Sequence, residues 1–216
     1  MSHTLVRAGA SRSFAADHPL CQAATTHAEV LLILGSEAGQ AYAELAEPGC
    51  FALILIELGD ECLGVHTGEQ RGEEGSQVLG FARFRLGHGA PSDLVEIVRQ
   101  PATPAAAIAQ ARGLFEAHGL LTAVCADFPG RIVNRLVRPY YNAALAKLDA
   151  GLASAADLDL TLKLGLGYPE GPIELLERTG LAEHCDTTEA LYQALAEPAY
   201  APARRARVAR QRRDGA

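Results

Sequence analysis

Two wholly apolar runs, Val30-Leu31-Leu32-Ile33-Leu34 and Phe51 to Ile56, frame a polar, helix-like stretch from Ser36 to Leu45. A strand with one wet face alternates apolar and polar residues, whereas a strand that is apolar at every position needs cover on both faces. Two such strands joined through a helix read as a β-α-β unit inside a parallel sheet. Further strand candidates are Val78 to Phe84, Leu94 to Val98 and Leu120 to Cys125, with a helix from Thr103 to Ala117 stopped by Gly119. Residues 59–77 are rich in Gly and Glu without periodicity and read as a long loop.

After Asp127 the pattern changes to spacings of three and four. Ile132, Leu136 and Tyr140 on one side, with Val133, Val137, Tyr141 and Leu145 on the other, give a helix opened by Pro129 and ended by Gly151. Pro139 lies inside it, where it removes one helical hydrogen bond and predicts a kink. Ser154 with Asp157 opens a second helix that stops at Gly165, Pro172 to Thr179 forms a third, and Asp186 with Glu189 opens a fourth that halts before Pro198. The fold expected is a reduced α/β domain over 28–127 followed by an all-α domain over 128–216. Residues 1–27 are expected to be a loosely ordered N-terminal segment.

Composition narrows the function classes. With 49% apolar residues the chain can bury a core, and no apolar run approaches the length of a bilayer span. Five cysteines, Cys21, Cys50, Cys62, Cys125 and Cys185, form no C-x-x-C pair and total an odd number, which argues against a disulfide framework or a metal site and fits a cytoplasmic setting. A formal charge of −7 disfavours nucleic acid as a partner. The six arginines from Arg204 to Arg213 are expected to form a solvated C-terminal helix, free to dock on the acidic body of a dimer mate or on ligand phosphates.

The run Asp127-Phe-Pro-Gly-Arg-Ile-Val-Asn-Arg135 with Pro139-Tyr140 resembles the D-x-P-G-F-I-V-N-R-x-x-x-P-Y element that opens the C-terminal domain of the 3-hydroxyacyl-CoA dehydrogenases. Gly151-Leu-Ala-Ser154, Asp157, Asp159 and Lys163-Leu-Gly-Leu-Gly-Tyr-Pro-Glu-Gly-Pro172 resemble later elements of that family in the same order and spacing, and Leu94-Val-Glu-Ile-Val98 resembles the strand that carries its acidic active-site residue. The resemblance implies a reduced Rossmann-like domain ahead of the family's helical domain, like the second unit of two-unit bacterial 3-hydroxybutyryl-CoA dehydrogenases. It also implies candidate catalytic residues, Glu96 and Asn134. The family's base is a histidine held by a glutamate, and the position matching that histidine is Phe84, which accepts no proton. His88, four residues on, is an ordinary loop histidine unless its loop brings it to Glu96. Asn134 matches the asparagine that meets the acyl part of the substrate, and it reads equally as a structural amide.

The family cofactor is NAD, yet the chain holds no G-x-G-x-x-G, and Gly35-Ser-Glu-Ala-Gly39 puts a carboxylate where a pyrophosphate would lie. No cofactor-binding residue is therefore assigned, and no metal ligand. Two functions stand open: a non-catalytic or accessory module that dimerises through its helical domain and meets acyl-CoA, with a full-length dehydrogenase as a further partner, or an active NAD-dependent dehydrogenase using a shared or rearranged site.

Overall fold

In the structure, a computed structural model that describes residues 2–215, the apolar runs become strands of one six-stranded sheet. The chain runs β1 (Thr4–Arg7), α1 (Pro19–Gln22), β2 (Val30–Leu34), α2 (Ala38–Ala43), β3 (Leu53–Glu57), α3 (Gly64–Thr67), β4 (Val78–Arg83), β5 (Leu94–Arg99), α4 (Ala105–Glu116) and β6 (Leu121–Ala126). The helical part continues with α5 (Val133–Asp149), α6 (Ala155–Leu166), α7 (Pro172–Thr179), α8 (Leu181–Leu195) and α9 (Arg204–Asp214).

The sheet order is β1-β2-β3-β4-β5-β6, parallel throughout except for the antiparallel β4–β5 pair. Every residue of β2 and β3 is buried, as two-sided cover demands. Leu32, Leu34, Leu53, Leu55, Leu79 and Phe81 face one layer, built on α4 through Ala111, Leu114 and Phe115. Leu31, Ile33, Ile54, Ile56 and Val98 face the other, under Ala38 and Leu63. The alternation of side chains along each strand divides a continuous apolar run into two cores.

The N-terminal segment departs from expectation. Thr4–Arg7 is a strand, pairing with Leu31 to Leu34, because β2 is apolar on both faces and would otherwise be the edge of the sheet. Phe14 and Leu20 then enter the core, and the ring of buried His3 bonds Leu20 O at 2.9 Å, so residues 2–27 are packed rather than loose. The expected loop over 59–77 also contains α3, whose Leu63 and Gly64 amides donate to the two oxygens of Asp127 at 2.7 Å each.

The chain divides into a sheet unit, residues 1–85 and 91–132, and a helical unit, residues 86–90 and 133–216. The boundary falls after Ile132 and not after Asp127, because the Pro129-Gly130-Arg131 turn still bonds to the sheet. The β4–β5 connection gives residues 86–90 to the helical unit, where the His88 amide donates to Thr179 O at 2.7 Å.

Within the helical unit, Ser154 caps α6 by accepting from the Asp157 amide at 3.1 Å. Asp159 on α6 is buried and accepts from the Ile173 and Glu174 amides at 2.8 and 3.0 Å, satisfying the free donors at the start of α7. Gly171 is required there, since a Cβ would lie 2.3 Å from Asp159 Oδ1. Pro139 deprives Arg135 O of its helical donor, and the hydroxyl of buried Tyr200 donates to that oxygen at 3.0 Å. Helix α8 starts at Leu181, five residues before the expected Asp186, because Gly180 both ends α7 and begins α8. Helix α9 forms as expected with most of its arginines exposed, and it is also anchored: Ala206 is fully buried, Arg204 and Arg205 pair with Asp149, and Arg213 pairs with Asp186 and Glu183, all in the same chain.

Candidate functional site

In doubly wound sheets, ligands sit beyond the carboxyl ends of the strands, at the point where the strand order reverses. Here the order rises from β1 to β6 without reversal among the described residues. A cleft of about 290 Å³ lies beyond β1, β2 and β3, lined among others by Arg12, Ser36, Glu37, Glu57, Glu61 and His66. Its floor is closed by the chain itself. Glu57, at the end of β3, accepts from the Ser13 amide at 2.8 Å and the Gly35 amide at 2.7 Å. Gly35 has φ +116°, and a Cβ there would stand 2.1 Å from Ala8 O, so this glycine serves a close backbone approach.

Glu96, on β5, is only 1% exposed. Its Oε1 accepts from the Ile132 amide at 2.8 Å, and its Oε2 lies 3.6 Å from Arg131 Nε. Arg131 is 7% exposed and sits in the left-handed region at φ +54° directly after Gly130 at +74°, a turn that aims the guanidinium at Glu96. Nε and Nη1 of Arg131 find no hydrogen-bond partner among the described residues. Phe84, at the position matched to the family's histidine, follows the last residue of β4 and accepts from the Ser92 amide through its carbonyl. His88 is in the helical unit, where its ring meets Glu183 at 3.2 Å. Within the sheet unit Glu96 thus has an arginine as a charged neighbour, and within the helical unit His88 has Glu183.

Asn134, in the first turn of α5, belongs to a buried network of the helical unit. Arg138 Nε donates to Asn134 Oδ1 at 2.9 Å, Arg138 Nη1 bonds His184 Nδ1 at 2.9 Å, and His184 Nε2 bonds Asn142 Oδ1 at 3.0 Å. Asn142 Nδ2 donates to Ala199 O at 3.2 Å. Burial and then the adjacent Arg138 cation push the His184 pKa from 6.5 to about 3, so the ring is neutral near pH 7.

Arg131, Arg138 and His184 are site-forming residues that sequence reasoning missed. One signal was present for Arg131, an arginine in the slot where the resembled motif carries phenylalanine. Arg138 lies on the same face as Asn134, one turn on, again a charge on a side that packs inward. Among the described residues no group of three or more His, Cys, Asp and Glu is placed to hold a metal ion, and no helix is long and apolar enough to cross a membrane.

Residues 130–213 match the family model of the 3-hydroxyacyl-CoA dehydrogenase C-terminal domain. The human mitochondrial hydroxyacyl-coenzyme A dehydrogenase is 42% identical over 96 residues, which cover 44% of this chain and 29% of that protein. A 3-hydroxybutyryl-CoA dehydrogenase of Bradyrhizobium diazoefficiens is 34% identical over 110 residues, 51% of this chain and 38% of the relative. Among solved structures, a 3-hydroxybutyryl-CoA dehydrogenase from Escherichia coli K12 superposes with a TM-score of 0.71 at 28% identity, covering 85% of this chain and 41% of that one. The (S)-3-hydroxybutyryl-CoA dehydrogenase of Ralstonia eutropha shares the fold, with a TM-score of 0.68 at 24% identity over 85% of this chain and 68% of that one. A Rossmann-type sheet followed by this helical domain defines the class. Residues 130–213 belong to the 3-hydroxyacyl-CoA dehydrogenase C-terminal domain family, and the chain matches well under half the length of the curated relatives named here.

Proposed function

We propose that this chain is a non-catalytic member of its family, a module that pairs with a second copy through its helical unit and meets acyl-CoA esters through Asn134, without a dinucleotide site of its own. The observation that carries this reading is the environment of Glu96. Oxidation of a 3-hydroxyl needs a group that takes up its proton as hydride leaves, and a histidine oriented by a carboxylate suits that task. Here the carboxylate is engaged by Arg131 and the Ile132 amide, and a phenylalanine stands at the matched base position. A guanidinium stays protonated at any working pH and takes no proton.

The residues beyond β1, β2 and β3 do not fit NAD. The strand order offers no switch-point crevice, and Glu57 already occupies the Ser13 and Gly35 amides. The sheet unit holds 8 Lys and Arg against 15 Asp and Glu, the full −7 of the chain, while the helical unit balances at 11 against 11. Polyphosphate ligands are therefore repelled by the sheet unit and tolerated by the helical one. Pairing is supported by exposed leucines on the helical unit: Leu136 on α5 is 70% exposed and Leu164 on α6 is 79% exposed, with Leu152, Leu160 and Leu166 close in sequence.

The test is to incubate the purified chain with 3-hydroxybutyryl-CoA and NAD and follow absorbance at 340 nm beside an active dehydrogenase, with light scattering for the oligomeric state. No turnover and a dimer are expected. Turnover that is lost in Glu96→Gln would overturn the non-catalytic reading in favour of a working dehydrogenase.

A further inference from the structure

A fully buried guanidinium is expensive, because several kcal/mol of hydration must be replaced by well-aimed hydrogen bonds. Arg138, 1% exposed, sits among groups whose orientations are fixed in a single direction. Asn142 is set by its own donation to Ala199 O, which leaves its Oδ1 to accept from His184 Nε2–H. The neutral imidazole must then carry its lone pair on Nδ1, where it accepts from Arg138 Nη1. With Nη1 anchored in this way, Arg138 Nε donates to Asn134 Oδ1, and the carboxamide cannot flip without facing its NH2 to a cation. Asn134 is itself buried, and its NH2 donates to no group among the described residues.

We propose that Arg138 is a positioning residue for Asn134: it holds the amide oxygen on a cation and fixes the carboxamide with its N–H donors as the groups offered to a ligand, and so favours an acceptor such as the carbonyl oxygen of a thioester. The charge-assisted bond also draws electron density from the amide nitrogen, which strengthens those donors. His184 and Asn142 act one step further out, holding Arg138 to one geometry. This assignment rests on the acyl-ester role proposed above for Asn134.

The experiment is a double-mutant cycle on the full chain, with acetoacetyl-CoA as the probe in isothermal titration. Asn134→Ala and Arg138→Met are each expected to weaken binding about tenfold, and the double variant to bind within about twofold of Asn134→Ala alone, because Arg138 acts through Asn134. Wild-type affinity in Arg138→Met, or effects that multiply in the double variant, would overturn the proposal. A second readout is independent of the ligand. The Asn134 side-chain NH2 signals in a nitrogen-15 spectrum, assigned by their loss in Asn134→Ala, should move in Arg138→Met and stay near their place in Arg138→Lys. Unmoved signals in Arg138→Met refute the positioning. If the wild-type chain binds no acetoacetyl-CoA, the acyl-ester role of Asn134 falls and the spectrum alone decides the role of Arg138. Should Arg138→Met fail to fold, Arg138→Lys, which keeps the charge but loses the fork, carries the titration and is expected to weaken binding severalfold.

Discussion

Removing one oxygen atom, in Tyr200→Phe, isolates how the chain tolerates a proline in the middle of its longest helix. Pro139 has no N–H, so Arg135 O lacks the donor four residues on that every other interior carbonyl of α5 can use. The Tyr200 hydroxyl reaches that oxygen at 3.0 Å from the far side of the unit, and the tyrosine is otherwise buried. Phenylalanine keeps the packing and loses the donor, leaving a partly buried carbonyl without its partner, at a cost of about 1–2 kcal/mol. In a chain of this size that lowers Tm by roughly 2–8 °C. The decisive measurement is the same substitution in a Pro139→Ala background, followed by urea denaturation. Alanine restores a backbone N–H at 139, so the cost of Tyr200→Phe should fall to about 0.5 kcal/mol or less. An equal cost in both backgrounds would show that the hydroxyl's contribution does not depend on the missing N–H of Pro139.

Other perturbations probe the two buried charged groups. Arg131→Met should destabilise the sheet unit by about 3 kcal/mol because it strands the buried Glu96 carboxylate, and adding Glu96→Gln should recover at least half of that loss in urea titrations; additive losses would mean the two side chains are not coupled. His184 binds its proton near 6.5 when unfolded and near pH 3 when folded, so between these values the unfolded state holds more protons and stability falls as pH falls. The contribution reaches at most about 1.4 kcal/mol per pH unit, and His184→Gln should flatten the decline measured from pH 6.5 to 5; an unchanged slope would sink this assignment.

Much of the architecture is legible in the chain because its signals are local. Wholly apolar runs of five and six residues mark β2 and β3, and a proline-glycine punctuation marks α7 within a residue. Strand β1 is not legible: Thr4-Leu5-Val6-Arg7 carries two apolar residues, and what makes it a strand is the exposed edge of β2, a requirement written some twenty-five residues away. The start of α8 is hidden for a related reason, since Gly180 does two jobs and Asp186 with Glu189 imitates a cap inside a helix. At the candidate site, the family resemblance gives Glu96, Asn134 and Phe84 only as expected positions. It is silent on Arg131 and Arg138, whose importance lies in what their guanidinium groups touch within their own units.

The match to a dehydrogenase domain does not by itself require a working active site, because several residues of the resembled motifs have structural employment. Asp159 and Gly171 form the start of α7, Glu174 reaches back to the Gly171 amide at 2.8 Å and holds Lys163 at 3.0 Å, and Ser154 caps α6. Asp127, the first residue of the opening motif, caps α3 in the sheet unit. Selection for folding alone would keep each of these, whether or not a hydride is ever transferred. Glu96 likewise satisfies a backbone donor, the Ile132 amide at 2.8 Å, and it stands beside an arginine brought to it by a left-handed turn. On the non-catalytic reading proposed above, the fixed cation beside Glu96 replaces an oriented base, and the chain would work through assembly and ligand contact while keeping the scaffold of the site.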